Sequence, residues 1–402
     1  MEAFEVKKDV WWVGTVDWVC RNFHGYTTSQ RGTTYNAFLI KDEKNVLIDT
    51  VKSEYGPKML CNIAHVMEPE KVDYIVVNHL EQDHSGALSL LVEKTQPEKI
   101  FCSTMGAKNI QKIYPQSKDW PIVPVKTGDS ISIGSRTLTF VELRMMHWPD
   151  NMGTYVSEDK LFISSDAFGQ NWATSEKFAD EVDRSEFTRL LRRYYNNIIM
   201  PYSPMVLKKL DEIEKMNIEI DMILPDHGLL IRGDDVPNVL NEYRELALQK
   251  PKKKAVIVYD TMWHSTEKMA NAVASGLAEK GISVKLFYLK ANNHSDVMEE
   301  VWDAGAVIVG SPTHNNGIMP RVADCLTYMK GLRPQKKIGA AIGSFGWSGE
   351  SVNILTEHLK NMGMDTPVDP IKVQYVPDHE ILKKCVEMGR TLADAIIAKV
   401  EE

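Results

Sequence analysis

The chain has 402 residues, of which 43% are hydrophobic and 25% are charged. Because single hydrophobic cores stop growing at roughly 250–300 residues, this length predicts two domains. The net charge of −8 argues against nucleic-acid binding, which needs a basic surface, and no stretch approaches the ~20 apolar residues of a membrane span. We therefore expect a cytoplasmic protein without nucleic-acid or membrane partners.

The first half of the chain contains short apolar runs that end in polar residues. These predicted strands are VLIDT (46–50), YIVVNH (74–79), LTFVEL (138–143), LFISSD (161–166) and MILPDH (222–227). Helical patterns at 84–95 and 204–217 mix with the strands without strict alternation, which predicts a sandwich with outer helices. The polar segment QKPKKK (249–254) ends this half, so the predicted domains are residues 1–249 and 250–402.

Strands and helices alternate regularly after this boundary. The predicted strands are 255–260, 282–289, 306–311, 337–344 and 371–375. The predicted helices are 265–280, 294–303, 319–330, 350–362 and 378–400. Such alternation is typical of an α/β fold with a doubly wound parallel sheet. Runs such as AVIVGS have the continuous apolar character that strands buried on both faces require.

A dense group of potential metal ligands follows the strand YIVVN. His79, Glu81, Asp83 and His84 fall within six residues, so alternate side chains can point at one position while His84 turns toward a second. Other predicted strands are also followed by histidine or aspartate, namely His147, Asp166 and His227. Burying such side chains without a partner costs free energy. One histidine at a strand end is usually an ordinary polar residue, but the whole set predicts a pair of metal ions.

The residue at position 81 discriminates between metals. Zinc hydrolases of the metallo-β-lactamase type resemble this pattern but normally read H-x-H-x-D-H, whereas here Glu81 replaces the second histidine. A carboxylate is a harder, anionic ligand that favours iron and stabilises its ferric state. The absence of thiolates from the set argues against a structural zinc site. The pattern therefore favours redox chemistry at a dinuclear iron site, and a dizinc hydrolase is the alternative.

Three loops of the second half predict a flavin mononucleotide (FMN) site. The first opens a helix, where hydroxyls and backbone N–H groups form an anion site, and it lacks both the G-x-G-x-x-G and the G-x-x-x-x-G-K-[ST] patterns. Ligands of open α/β sheets bind beyond the carboxyl ends of the strands, where all three loops lie. Trp263 and Trp347 can flank a flavin ring. The predicted FMN-binding residues are Thr261, Met262, Trp263, His264, Ser265, Thr266, Ser311, Pro312, Thr313, His314, Asn315, Asn316, Gly317, Ser344, Phe345, Gly346, Trp347, Ser348 and Gly349.

Seven motifs spread along the chain resemble those of the flavodiiron proteins (A-type flavoproteins), and the resemblance covers essentially the whole chain. In the first half they are HLEQDHSGAL, MMHWPD, SSDAFGQ and LPDHG, and in the second half DTMWHSTEKMA, GSPTHNNGI and GSFGWSGES. The resemblance implies a metallo-β-lactamase-like αββα sandwich followed by a flavodoxin-like domain with a five-stranded parallel sheet. The ligands that it implies are His79, Glu81, His147 and bridging Asp166 on one iron, with Asp83, Asp166 and His227 on the other. His84 either binds the second iron or swings away from it.

The resemblance further implies an oxidoreductase that takes electrons from rubredoxin through FMN to two non-haem irons. The implied reaction reduces dioxygen to water, nitric oxide to nitrous oxide, or both, and no residue decides between the gases. The five cysteines include no C-x-x-C pair, so electrons must arrive from a separate carrier. A head-to-tail homodimer, possibly a dimer of dimers, is also implied, in which the flavin of one subunit faces the irons of the other.

Further residues are predicted to surround the metal pocket. By similarity to relatives, His24, Tyr26 and Tyr195 are catalytic candidates, Trp148 lines the pocket, and Asp49 orients the ligand loop. Within RRYYNNI the sequence alone does not separate Tyr195 from Tyr194. A third hypothesis is an electron-transfer flavoprotein with an inactive metal domain, against which the complete ligand set argues.

Overall fold

The computed structural model describes residues 1–401, and it divides into two compact units. The first unit comprises Met1–Tyr195 and Tyr202–Arg244, and the second comprises Asn196–Pro201 with the chain from Glu245 onward. Within the described residues, no helix has both the length and the apolar composition that a bilayer crossing requires.

The first unit is built mainly from short strands. Its strands are Phe4–Lys7 (β1), Val10–Trp12 (β2), Thr15–Asp17 (β3), Asn22–Phe23 (β4), Thr27–Thr28 (β5), Thr33–Tyr35 (β6), Phe38–Ile40 (β7), Val46–Ile48 (β8), Tyr74–Val77 (β9), Lys99–Ser103 (β10), Ile122–Val125 (β11), Ser130–Ser132 (β12), Thr137–Glu142 (β13), Met152–Val156 (β14), Leu161–Ser165 (β15), Met222–Pro225 (β16) and Ile231–Arg232 (β17).

Helices and short helical turns connect these strands. The α-helices are Gly56–Val66 (α1), Gln82–Ser85 (α2), Leu88–Thr95 (α3), Thr104–Ile113 (α4), Arg184–Tyr194 (α5), Ser203–Lys215 (α6) and Asp235–Leu248 (α7). The 3-10 turns are Ser53–Tyr55, Pro69–Lys71, Pro115–Asp119, Ala179–Glu181 and Met200–Tyr202, and a π-helical turn covers Tyr195–Ile199.

Two sheets form the centre of the first unit. In the described chain, one has the strand order β1-β2-β7-β8-β9-β10-β11 and the other β12-β13-β14-β15-β16-β17. Phe38 and Val76 from the first sheet and Phe140 and Ile163 from the second belong to one buried cluster, as facing sheets require. The predicted metallo-β-lactamase-like sandwich is confirmed. Strands β8 to β11 run parallel, as do β15 and β16, which brings their carboxyl ends to one side of each sheet.

The predicted helix over 84–95 is wrong in one respect, because the structure has two helices, α2 and α3, with a break at Gly86 and Ala87. The carbonyl of His84 accepts the backbone N–H of Thr50, and the N–H of Ala87 donates to Val51. A Cβ at Gly86 would lie 2.6 Å from the backbone nitrogen of Ser53. These contacts hold the ligand segment against the loop after β8 and interrupt the helix.

The second unit contains the predicted parallel sheet. Its strands are Lys252–Tyr259 (β18), Ser283–Tyr288 (β19), Ala304–Gly310 (β20), Ile338–Phe345 (β21) and Ile371–Gln374 (β22). Its helices are Ser265–Glu279 (α8), His294–Val301 (α9), Pro320–Leu332 (α10), Ser351–Asn361 (α11) and His379–Glu401 (α12). Within residues 1–401, the strand order is β19-β18-β20-β21-β22, with every pair parallel. The predicted flavodoxin-like doubly wound fold is confirmed.

Helices α8 and α12 pack closely on this sheet because glycines meet at their crossing. A Cβ at Gly276 would lie 1.9 Å from the carbonyl oxygen of Val386, and one at Gly389 would lie 2.3 Å from that of Val273. Real Cβ atoms do not approach backbone oxygens so closely, so both positions require glycine. The close approach lets Val273 and Leu392 enter the same buried cluster as Ile257.

The substitution Gly276→Ala is expected to destabilise the second unit by about 1–3 kcal/mol, the usual cost of overpacking a filled core. Gly331→Ala is the matched control, since a Cβ there meets nothing within 4 Å and alanine in a helix is favoured over glycine by roughly 0.5–1 kcal/mol. Denaturant unfolding of both variants measures the difference. Equal stabilities would contradict the proposed close contact.

Candidate metal centre and flavin loops

The first cluster of ligand atoms contains His79, Glu81, His147 and Asp166, whose ligand atoms all lie within 4.8 Å of one another. The Nε2 atoms of His79 and His147 lie 3.2 and 2.9 Å from Oε2 of Glu81. Oδ2 of Asp166 lies 3.4 Å from Nε2 of His79. These four predicted ligands are brought together around one position.

The second cluster contains Asp83, His84 and His227. The Nε2 atom of His227 lies 3.3 Å from Oδ2 of Asp83 and 3.0 Å from Nε2 of His84. Oδ1 of Asp166 is 3.3 Å from Nε2 of His227 and 3.4 Å from Nε2 of His84. Asp166 therefore directs one carboxylate oxygen to each cluster, which is the geometry of a bridging ligand.

The imidazole tautomers show that these clusters fit metal ions. Nδ1 of His227 donates to the carbonyl oxygen of Thr34 at 2.7 Å, and Nδ1 of His79 donates to Oδ2 of Asp150 at 3.1 Å. The proton of each neutral ring is then on Nδ1, so Nε2 presents a lone pair to its cluster. Buried carboxylate atoms Asp83 Oδ1 and Asp166 Oδ2 have no hydrogen-bond partner. A pair of metal cations would bind the converging nitrogen lone pairs and neutralise the buried carboxylate oxygens that lack a hydrogen-bond donor.

The carboxylates and imidazoles shift one another's pKa. Burial alone lowers the pKa of an imidazole, but Asp83 and Asp166 outweigh it and raise the pKa of His84 to about 9 and that of His227 to about 10. Burial raises the pKa of the Asp166 carboxyl, yet the neighbouring histidines hold that pKa well below its ordinary value. Without a cation, protons on the histidines therefore neutralise the buried carboxylates.

The ends of strands, and hydrogen bonds from neighbouring residues, position these ligands. His79, Asp166 and His227 follow β9, β15 and β16 closely. Asp49, in the left-handed region at φ 58°, accepts the backbone and side-chain N–H groups of Asn78, each at 2.7 Å. Asn78 immediately precedes His79, so Asp49 fixes the direction in which the ligand loop leaves its strand.

Three aromatic residues predicted near the pocket lie at its entrance. Nε2 of His24 is 2.7 Å from Oε1 of Glu81, and the ring of Tyr26 stacks on that of His24 at 5.9 Å. The indole of Trp148 is edge-on to His79 at 5.2 Å. Tyr26 and Trp148 are partly exposed, so both lie between the ligands and solvent.

The prediction of Tyr195 as a pocket residue is wrong. The Tyr194 hydroxyl donates to Oδ1 of Asp166 at 2.6 Å, whereas the Tyr195 hydroxyl is paired with Ser203 at 3.0 Å and its ring packs on Tyr243. Adjacent residues of a helix point about 100° apart, so only one of the two faces the cluster. The pattern RRYYNNI contains no signal that selects it.

Two buried aspartates near the ligands escaped sequence reasoning. Asp150 accepts from His79 Nδ1 and from the backbone N–H of Leu80 at 2.8 Å. Asp226 is fully buried, and its Oδ2 lies 3.7 Å from Nδ1 of His84. Asp226 directly precedes the predicted ligand His227 in LPDHG, and a carboxylate beside a ligand histidine was the available signal. Asp150 lies three residues after His147 and meets His79 only in the fold, so no local signal marks it.

The three predicted flavin loops meet at the carboxyl edge of the five-stranded sheet. Thr266 Oγ1 is 3.2 Å from Ser344 Oγ, which joins the first loop to the third. The backbone N–H of Thr313 donates to the carbonyl of Ser344 at 2.8 Å, which joins the second to the third. Ser265 and Thr266 are buried at the start of α8, where backbone N–H groups without a partner in the helix can donate hydrogen bonds to an anion. The loops fit a phosphate monoester and a flat ring.

Aromatic side chains surround this edge. Trp263 and Trp347 are 87% and 84% exposed, so neither belongs to the core and both are available to a flavin or a partner. Tyr375, which follows β22 and is exposed, was missed by the sequence analysis; its N–H donates to the carbonyl of Phe345 at 2.7 Å. Lys290 Nζ, also missed, donates to the carbonyl oxygen of Thr261 at 3.2 Å.

Known proteins share this architecture. The profile described as "ODP family beta lactamase" matches residues 33–228, and that described as "Flavodoxin" matches residues 257–389. The solved structure of the flavodiiron protein from Giardia intestinalis is 33% identical, covers 100% of this chain and 98% of that one, and has a TM-score of 0.95.

The chain belongs to the flavodiiron protein family. Another solved member, rubredoxin oxygen:oxidoreductase from Desulfovibrio gigas, is 50% identical over 100% of both chains with a TM-score of 0.98. A nitric oxide reductase of Moorella thermoacetica is 45% identical over 96% of this chain and 97% of the relative. The resemblance inferred from the motifs is confirmed. As a flavodiiron protein, the chain is an oxidoreductase whose cofactors are FMN and a dinuclear iron site.

The substitution Asp150→Asn is expected to lower metal affinity about 10–100-fold, because carboxylates that hold a ligand histidine tune its orientation and basicity. Asp119→Asn, at an exposed position, is the control and should leave the affinity unchanged. Competition with a chromophoric chelator measures both. Equal affinities would show that Asp150 does not support the metal ligand His79.

The metal-free chain is expected to lose stability as pH rises from about 7 to 10. His84 and His227 have pKa values raised to about 9 and about 10 in the folded chain, above the value of about 6.5 for an unfolded histidine. Their contribution is therefore complete below pH 6.5 and lost as pH rises through the folded pKa values. Thermal unfolding of metal-free and iron-loaded protein across this range measures it, and parallel pH profiles would contradict the coupling.

Proposed function

We propose that this flavodiiron protein takes electrons from rubredoxin through FMN to its iron pair and reduces dioxygen to water, nitric oxide to nitrous oxide, or both. The observation that carries the proposal is Glu81, a carboxylate 2.9 Å from His147 and 3.2 Å from His79, in a chain that also has the FMN loops. A relative named rubredoxin oxygen:oxidoreductase and one named nitric oxide reductase support it.

The proposed ligand assignment follows the two clusters. One iron takes the ligands His79, Glu81, His147 and Asp166, and the other takes Asp83, Asp166 and His227. His84 belongs to the second cluster by position, since its Nε2 is 3.4 Å from both Asp83 and Asp166. This contact supports His84 as a ligand of the second iron rather than a residue turned away.

The irons would supply open coordination positions and two electrons to a bound gas. The chain's own residues do the remaining work. Tyr194 donates to Oδ1 of Asp166 and so holds the bridging carboxylate in place. His24, at the entrance beside Glu81, is positioned to carry protons from solvent. The apolar faces of Trp148 and Phe23 restrict water around the ligand histidines.

The electron count accounts for the fusion of the two units. Reduction of dioxygen to two waters needs four electrons, which two ferrous ions and one reduced FMN hold together. Reduction of two nitric oxides to nitrous oxide needs two. The two cofactors together therefore hold enough electrons to complete either reaction without releasing a partly reduced product.

Assembly and location belong to the same proposal. Residues 1–249 and 250–402 are proposed as the two domains, and α7 ends at Leu248 while β18 begins at Lys252. The exposed rings of Trp263, Trp347 and Tyr375 at the flavin edge favour a surface that a second subunit covers, in a head-to-tail homodimer and possibly a dimer of dimers. We place the protein in the cytoplasm, together with rubredoxin.

The substitution His79→Ala is expected to abolish gas consumption while reduction of FMN by rubredoxin continues, since His79 lies in the metal cluster and not in the flavin loops. His65→Ala, an exposed histidine of α1, is the control and should retain both activities. Rubredoxin-coupled consumption of dioxygen and of nitric oxide, with metal analysis, measures the effect. Two zinc ions per chain with ester hydrolysis and no gas consumption would instead support the dizinc hydrolase.

A further inference from the structure

A pair of tyrosines extends from the second metal cluster. Tyr35, at the end of β6, is fully buried, and its ring meets that of His227 at 5.8 Å with an interplanar angle of 72°. Tyr55 stacks on Tyr35 at 5.7 Å and 30° and is partly exposed. The rings of His227, Tyr35 and Tyr55 thus form a continuous aromatic path from a metal ligand toward the surface.

Both phenols share one proton acceptor. The Tyr35 hydroxyl donates to Oδ2 of Asp17 at 3.2 Å, and Tyr55 is also hydrogen-bonded to Asp17. The other oxygen of Asp17 accepts the backbone N–H groups of Val19 and Cys20 at 3.2 and 3.0 Å, so the carboxylate is held in place. Asp17 is itself buried.

A phenol that keeps its proton is oxidised readily only if the proton leaves with the electron. Burial and, to a lesser extent, the negative charge of Asp17 raise the pKa of Tyr55 to about 12, so this phenol is protonated at neutral pH. A fixed carboxylate hydrogen-bonded to a phenol supplies the required acceptor. The ammonium of Lys52 lies 4.8 Å from the Tyr35 ring centre. Its positive charge makes the ring harder to oxidise, so only a strong oxidant removes an electron from Tyr35.

We propose that Tyr35 and Tyr55 are an electron relay that completes dioxygen reduction when the chain holds too few electrons. This proposal rests on the proposed function, because dioxygen is the oxidant. A chain with only two electrons needs two more to form two waters. Tyr35 gives one electron toward His227 while its proton passes to Asp17, and a tyrosyl radical remains.

The second electron comes from Tyr55. Tyr55 reduces the Tyr35 radical and releases its own proton to solvent, Asp17 returns the first proton, and Tyr35 is then able to donate again. Together the two phenols supply two electrons. One phenol proton ends on Asp17 and the other in solvent, and solvent supplies all four protons of the two waters. The next electrons that arrive through FMN restore both phenols.

The experiment uses full-length protein loaded with iron and FMN, reduced with either two or four electron equivalents per chain, mixed with dioxygen and frozen. Electron paramagnetic resonance is expected to show the signal of two interacting tyrosyl radicals after two-electron reduction and the loss of that signal after four-electron reduction. Ring-deuterated tyrosine in the unaltered chain should narrow the signal, which identifies a tyrosine without any substitution.

Substitutions locate the radical. Tyr35→Phe is expected to abolish the signal, and Tyr55→Phe to leave the signal of a single, isolated radical on Tyr35. Tyr155→Phe is the control, a buried tyrosine whose hydroxyl donates to the carbonyl of Glu219, and it should retain the signal. Dioxygen uptake without a tyrosyl radical, or an unchanged signal in both variants, overturns the relay. Absence of dioxygen uptake after four-electron reduction overturns instead the dioxygen reduction of the proposed function.

Discussion

The carboxylate of Asp166 is the constraint on which the metal centre depends. It is buried, it follows β15, and its two oxygens lie 3.3–3.4 Å from histidine nitrogens of different clusters. A carboxylate in this position is costly unless cations or protons surround it. The sandwich brings the ends of β9 and β16, with their histidines, to the Asp166 carboxylate. The fold and the dinuclear site therefore require one another.

Glu81 decides which chemistry this scaffold performs. With Asp83 and Asp166 it makes three carboxylates in the ligand set, an anionic environment that favours iron over zinc. The second unit adds three strand-end loops, which we propose as the flavin site, so that each chain carries both cofactors. Tyr35, whose ring meets that of the proposed ligand His227, and Tyr55, which stacks on Tyr35, add two further oxidisable groups on this side of the second cluster.

The sequence predicted the fold and the ligand types because both leave local patterns. Apolar runs ending in His, Asp or Glu marked the strand ends, and regular alternation marked the parallel sheet. Contacts between distant segments left no such pattern: Asp150 meets His79 across 71 positions, and Tyr35 meets His227 only in the folded sandwich. The error at Tyr195 has the same origin, because the direction in which each residue of RRYYNNI faces depends on where α5 packs.

A crystal structure of the iron-loaded protein, with anomalous diffraction measured on both sides of the iron absorption edge, tests the central claim most directly. The account predicts two iron peaks per chain, one among His79, Glu81 and His147 and one among Asp83, His84 and His227, with Asp166 bound to both. A single peak, a zinc edge in place of an iron edge, or an Asp166 that binds neither metal would contradict it.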